Sequence, residues 1–287
     1  MDRLAYELHK LCERNRDGSY NTQSDRRRTL ILVSRQLLEM GFRHMRAESL
    51  KYKHVNALIQ RWQREQLSAG TIKNRVAHLR WWAEKVGKAS EIPKDNAWFG
   101  IPERRFVTNE NKSRQLGTGI DGISDPHVRM SLELQQAFGL RRAESIKFQP
   151  RYADQGHCIL LMRSWTKGGR ARTVPITTAE QRTVLNRAHA LAGSGSLISA
   201  DRTFIQQRHL YDGQCKAAGL SHMHGLRHAY AQARYEALTG WKAPAAGGPS
   251  VRALSLQQRT EDRQARQIIS RELGHERIGI TAVYLGR

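Results

Sequence analysis

Apart from one stretch, the apolar residues of this chain recur every three to four positions wherever they form a pattern at all. That period belongs to amphipathic helices, and it restricts the fold to a mostly helical one. The exception is "HCILLMRSWTKGGRARTVPIT", which reads as two strands, the first hydrophobic and the second ending at Pro175. The Gly168-Gly169 pair between them permits the positive φ that a tight connection needs. A chain of 287 residues can bury one large core or two modest ones, so two domains are expected.

The division falls near residue 105. Before it, four segments have helical pattern: "RLAYELHKLC", "SDRRRTLILVSRQLLEMGF", "KHVNALIQRWQREQ" and "TIKNRVAHLRWWAEKVGK". Ser24 or Asp25 is the expected N-cap of the second. In the fourth, Ile72, Val76, Leu79, Ala83 and Val86 form an apolar stripe that leaves Lys73, Arg80 and Trp81 off it. The segment "IPERRFVTNENKSRQLGTG" has no periodicity and reads as a linker. The expected organisation is a helical domain over 1–104, a linker over 105–115 and a second, mixed α/β domain over 116–287. The second domain opens with the helix "DPHVRMSLELQQAF", which breaks at Gly139 before "LRRAESIKF". Beyond the strands it is helical through "SHMHGLRHAYAQARYEALTG" and "EDRQARQIISRELGH", with the irregular "WKAPAAGGPSVRALS" between them.

Composition decides the partner class. Lys and Arg number 48 against 26 Asp and Glu, a net charge of +22 spread along the chain. Such an excess draws a protein onto a polyanion by long-range attraction and counterion release, so nucleic acid is the leading partner. A membrane surface is the competing polyanion, but no apolar run approaches the roughly 20 residues that span a bilayer. The three cysteines, Cys12, Cys158 and Cys215, are far apart and odd in number. They suit a reducing cytosol and offer no disulfide framework and no metal knuckle. Lys73, Arg80, Arg142, Arg170 and Arg172 are the candidate DNA contacts; for each, an ordinary solvated basic residue is the competing reading.

Several chemistries lack their residues. Metal-dependent phosphodiester chemistry needs clustered carboxylates, and here the acids are few and mostly beside arginines. His222, His224 and His228 lie close together in sequence, but no second ligand cluster accompanies them. No cofactor and no metal are expected. Phosphoryl transfer without metal requires guanidinium groups on the non-bridging oxygens, a general acid at the leaving oxygen and a side-chain hydroxyl that attacks. Arg141, Lys167, His224, Arg227, His275 and Tyr284 supply these types in order along the second domain.

At these residues the chain resembles the tyrosine recombinases, or phage-type integrases. "GLRRAES" is similar to the family's G-L-R-x-x-E, "TKGGRART" to its lysine-bearing strand-turn-strand, and "HGLRH" to its H-x-L-R-H box. "LGH" with a tyrosine nine residues on (284 minus 275) is similar to the terminal box. The resemblance implies a helical core-binding (SAM-like) domain followed by the family's mixed α/β catalytic domain. It implies Tyr284 as the nucleophile that forms a 3′-phosphotyrosyl intermediate, and Arg141 and Arg227 on the phosphate oxygens. It further implies Lys167 as the acid for the 5′ oxygen, His224 and His275 as phosphate or proton-transfer partners, and Glu144 as a supporting residue. Arg142 could stand in for Arg141, but only Arg141 lies three before Glu144.

A site-specific recombinase that integrates or excises a mobile element is therefore the expected function. A type IB topoisomerase and a catalytically silent DNA-binding regulator are the alternatives. The implied partners are double-stranded attachment sites, a homo-oligomer that becomes a tetramer on two duplexes, and accessory DNA-bending or directionality factors. The implied location is the bacterial cytoplasm, associated with the nucleoid.

Two features depart from the family pattern. His224 and His275 are 51 residues apart (275 minus 224), about twice the expected spacing, which points to an insertion near 239–260 that forms a surface loop or a contact. Only Leu285, Gly286 and Arg287 follow Tyr284, so no trailing helix for exchange between protomers is expected.

Overall fold

The computed structural model describes every residue except Met1, Arg104 and Glu276. The chain divides into two compact units, Met1–Arg105 and Phe106–Arg287. The sequence-based boundary at residue 104 lies outside the described residues.

The first unit is helical: α1 (Arg3–Arg14), α2 (Tyr20–Glu39), α3 (Tyr52–Arg64) and α4 (Ala69–Lys85). Its core joins Leu8, Leu30, Leu37, Leu58, Val76 and Leu79 around two wholly buried tryptophans. Each indole N–H finds an acceptor, Trp62 on Gln36 Oε1 at 2.8 Å and Trp82 on the Ala47 carbonyl at 2.9 Å, as buried polar groups must. Helix α2 begins earlier than its apolar pattern does. Its N-cap is Ser19, whose hydroxyl accepts from the Thr22 N–H at 3.2 Å, and Ser24 and Asp25 lie inside the first turns. The initial turn, "YNTQ", has no apolar residue at core spacing, so periodicity could not register it.

The second unit is built around α5 (Pro126–Phe138), followed by α6 (Arg142–Ile146) and α7 (Pro150–Ala153). Strands β1 (Cys158–Leu161) and β2 (Arg172–Pro175) pair antiparallel with Cys158 opposite Pro175 and Leu161 opposite Arg172. Then come α8 (Ala179–Ala192), α9 (Phe204–Ala217), α10 (Gly225–Thr239), α11 (Leu256–Glu272) and α12 (Ile278–Leu285). One core gathers Phe138, Phe148, Ile159, Val174, Tyr235, Ile269 and Leu285; a smaller one lies around Val128, Leu132, Tyr211 and Leu226. Asp125 caps α5 by accepting from the Val128 N–H at 2.9 Å, with Pro126 at the first helical position.

Two expectations change here. The segment expected as a linker belongs, from Phe106 onward, to the second unit. Its Arg114 N–H donates to the Gly225 carbonyl at 3.0 Å, Asn111 Oδ1 accepts from Gln232 Nε2 of α10 at 3.1 Å, and Asn109 Oδ1 accepts from the Arg287 N–H at 2.9 Å. The expected insertion is not a free surface loop. Residues 256–260 are the first turn of α11, and within 241–255 Ala243, Ala245 and Leu254 are buried. Trp241 donates to the Tyr235 hydroxyl at 3.2 Å, which fixes the start of the stretch to α10.

Candidate active site

Four separate elements bring the site together. Helix α5 ends at Gly139, in the left-handed region with φ 60°, and the chain turns sharply so that Arg141 caps the start of α6. The arginine's backbone N–H and its Nη1 both donate to Glu144, each at 2.7 Å, and Nη2 reaches the Leu273 carbonyl at 3.3 Å. Glu144 is completely buried and also accepts two bonds from Arg172, at 2.9 and 2.7 Å. Burial by itself would raise its pKa, but the hydrogen bonds and charge of Arg172, with Arg141 and Arg227 behind them, win and lower it to about 2.

Helix α10 supplies His224, Arg227 and His228. His224 stands at its N-cap, and Arg227 lies one turn in with 1% of its surface exposed. Arg227 Nη1 donates to the Gly139 carbonyl and Nη2 to the Leu273 carbonyl, leaving Nε buried with no partner among the described residues. Burial lowers this guanidinium to about 10, helped by the positive charge of Arg141 and opposed by Tyr284, so it stays charged at neutral pH.

Tyr284 comes from α12 and is 6% exposed. Its hydroxyl is 3.1 Å from His224 Nε2. Its ring lies between two imidazoles, His228 with centroids 4.5 Å apart and His275 stacked at 5.2 Å and 25°. The Arg227 guanidinium carbon lies 5.7 Å from the ring centroid. His275 Nδ1 is 3.3 Å from the Thr281 hydroxyl, so the first turn of α12 steadies it. All three imidazoles are held toward the neutral form by burial first and by neighbouring positive groups second. His224 is lowered, His228 falls to about 4 with His224 and Lys112 contributing, and His275 falls to about 3 with Arg227 and Arg141 contributing.

Five of the six residues proposed from sequence thus surround one point: Arg141, His224, Arg227, His275 and Tyr284. Lys167 does not join them by any contact. It is exposed on the connection between β1 and β2, beside Gly168 and Gly169 at φ 88° and 66°, and no described residue bonds its ammonium. His228 is a member that sequence reasoning left without a role, although its place four after His224 puts both on one helix face.

The candidate DNA contacts separate from one another. Arg172 is corrected to an inward-facing residue: its side chain is 7% exposed, pairs with Glu144 and donates from Nε to the Glu272 carbonyl at 2.8 Å. Arg142 is half exposed and paired with Asp212. Arg80, in the first unit, donates from Nε and Nη2 to the Pro93 carbonyl at 3.1 and 2.7 Å, so its fork is turned to the backbone. Lys73 is partly exposed on α4. Arg170 is exposed, and its carbonyl accepts from the Thr166 hydroxyl at 2.7 Å, closing the turn that holds Lys167.

His224 and His228 lie against the Tyr284 ring, and no group of three or more His, Cys, Asp or Glu able to hold a metal occurs among the described residues. No helix of the described residues is long and apolar enough to cross a membrane.

Known proteins share this fold. The lambda integrase dimer bound to a COC' core site is 15% identical, covers 98% of this chain and 78% of its own, and superposes with a TM-score of 0.61. The Tn1549 transposon integrase in complex with circular intermediate DNA is 14% identical, with coverage of 100% and 96% and a TM-score of 0.58. The XerH site-specific recombinase bound to a palindromic difH substrate is 14% identical, with coverage of 99% and 81% and a TM-score of 0.61. At these identities the likeness is one of fold. No curated protein matches the chain. Family models match in tandem: phage integrase, N-terminal, over residues 1–91 and integrase over residues 104–233. Two successive integrase models joined to a matching fold place the chain in a family: it belongs to the tyrosine recombinases, the phage-type integrases.

Proposed function

We propose that this protein integrates or excises a mobile element, cutting and rejoining duplex DNA with Tyr284 as its nucleophile. The setting of that tyrosine carries the reading. Its hydroxyl is 3.1 Å from a neutral-leaning histidine, two more imidazoles pack against its ring, and Arg227, 5.7 Å from the ring centroid, shares the Leu273 carbonyl with Arg141. A structural tyrosine would gain nothing from so much uncompensated positive charge; a phosphodiester would neutralise it.

In the reaction, Tyr284 Oη attacks the scissile phosphorus while the bond to the 5′ oxygen breaks. The phenol proton passes to His224 Nε2, which burial and Arg227 keep ready to accept it. Arg141 and Arg227 offset the charge on the non-bridging oxygens. Lys167, exposed beside Gly168 and Gly169, gives its proton to the departing 5′ oxygen. His228 and His275 hold the phenol ring by packing on its two sides, and Glu144 and Arg172 fix Arg141. The phosphotyrosyl ester keeps the energy of the broken bond, so a 5′ hydroxyl from a second strand can reverse the step and free the phenol. The supporting comparison for assembly is that lambda integrase forms a dimer on a core site and a tetramer on a Holliday junction. The same closed assembly on double-stranded attachment sites, with accessory bending or directionality factors, is proposed for this chain.

The test is covalent trapping. Wild-type protein with nicked duplex carrying its cognate site should give a protein–DNA band on a denaturing gel, and Tyr284→Phe should give none. A band from the phenylalanine variant, or tight site-specific binding by wild type without any band, would sink the reading.

A further inference from the structure

Between Asn109 and Arg114, just after the first unit ends at Arg105, the chain bonds to residues that flank both halves of the Tyr284–His224 pair. Asn109 Oδ1 accepts from the Arg287 N–H at 2.9 Å, immediately beyond the α12 C-cap. Asn111 Oδ1 accepts from Gln232 Nε2 at 3.1 Å, and the same nitrogen donates to the Tyr284 carbonyl at 3.2 Å. At the other end the Arg114 N–H donates to the Gly225 carbonyl at 3.0 Å, next to His224. The approach there is so close that a Cβ on Gly225 would meet the Lys112 carbonyl oxygen at 2.7 Å. A helix of eight residues has little rigidity of its own, and α12 depends on such outside bonds to keep its tyrosine in place.

We propose that residues 109–114 are a positioning strap for the nucleophile, with Asn109, Asn111 and Gln232 as its positioning residues. The strap holds the α12 C-terminus from one side while Arg266 Nη1, anchored by Asp262, holds the Gly286 carbonyl at 2.9 Å from the other. Because the strap is also bonded at Gly225, it fixes the spacing between Tyr284 Oη and His224 Nε2. The segment that leaves the DNA-binding half thereby sets how often the phenol sits in its attacking position. Asn109 adopts φ 58°, which asparagine tolerates and most side chains do not. Both asparagines are exposed, so truncating them removes acceptors without opening the core.

The inference rests on Tyr284 being the nucleophile, and its test separates the two. The full chain and its Asn109→Gly/Asn111→Ala variant are compared on a nicked duplex bearing the sequence that wild type selects from random DNA. Glycine keeps the left-handed backbone and removes only the acceptor. The variant should form the covalent adduct about tenfold more slowly, as expected for two lost hydrogen bonds that act on geometry. Its affinity for intact duplex and its melting temperature should match wild type. Asn109→Asp/Asn111→Asp, which keeps both acceptor oxygens, should restore the rate. Amide exchange across residues 279–286 in the free protein should speed up in the truncated variant alone. Wild-type or faster adduct formation by the truncated variant overturns the proposal, as does equal slowing by the aspartate variant. If wild type itself forms no adduct, the nucleophile assignment fails; unchanged exchange in α12 then overturns the strap as well.

Discussion

At the scale of the residue, the site's most consequential property is that its histidines are kept uncharged among arginines. Burial is the first cause for His228 and His275 and nearby positive groups the second, and both causes act in the same direction. Their pKa values of about 4 and 3 lie below the ordinary 6.5, so the folded protein binds fewer protons than the unfolded chain in between. Stability from this source is complete above pH 6.5 and is lost as the pH falls toward the folded values. Ring-proton NMR of the free protein should therefore show His228 and His275 failing to titrate between pH 8 and 5, while exposed histidines move through their usual range. A midpoint near 6.5 for either would show that the ring clasp around Tyr284 opens to water. Glu144 is the counterpart of opposite charge, an acid that stays ionised because Arg172 and Arg141 surround it. It was legible from its place three after Arg141; Arg172 was not. The sequence showed Arg172 as one of several basic residues near a turn, and only the packing of strand β2 against α11 turns it inward, onto the Glu272 carbonyl and Glu144.

At the scale of the element, glycine makes the approach of α5 to α10 possible. Gly139 has φ 60°, and a Cβ there would meet Tyr230 Cδ1 at 2.5 Å, while its carbonyl accepts from Arg227. Gly139→Ala should cost about 1–3 kcal/mol of stability in a denaturant titration, from the strained φ and the clash together. It should also slow adduct formation, since Arg141 lies two residues on. A variant as stable as wild type would mean that the turn relaxes and the arginine's placement does not depend on it. The first turn of α2 and the turns of 241–255 are the elements least visible in the sequence. Neither carries the periodic apolar residues that announce a helix, and both are held by capping or by packing of small side chains such as Ala243.

At the scale of the whole molecule, charge governs encounter with DNA. The net +22 is not used up in internal pairing: Lys73, Lys167 and much of the basic surface remain exposed or partly so. Binding to duplex should fall steeply with salt, with a log–log slope equivalent to several phosphates released from counterions. Filter binding across a range of sodium chloride concentrations measures it, and a slope near zero would show that the positive charge lies away from the DNA. The inward turn of Arg172 sets a limit on this count, since its guanidinium is taken up by Glu144 and the Glu272 carbonyl.

Local rules were enough for the sequence to determine the helical bulk of both units, the β1–β2 hairpin, the break at Gly139 and the order of the candidate site residues. Helical period, glycine's freedom at positive φ and the spacing of "HGLRH" and "LGH" all act over a few residues. What the tertiary structure alone decided were contacts between residues far apart in the chain. It packed His228 and His275 against the Tyr284 ring, turned Arg172 toward Glu144 and bonded the expected linker to α10 and to Arg287 beyond α12. Those contacts depend on which helix faces meet after the core closes, and no short-range pattern encodes that choice.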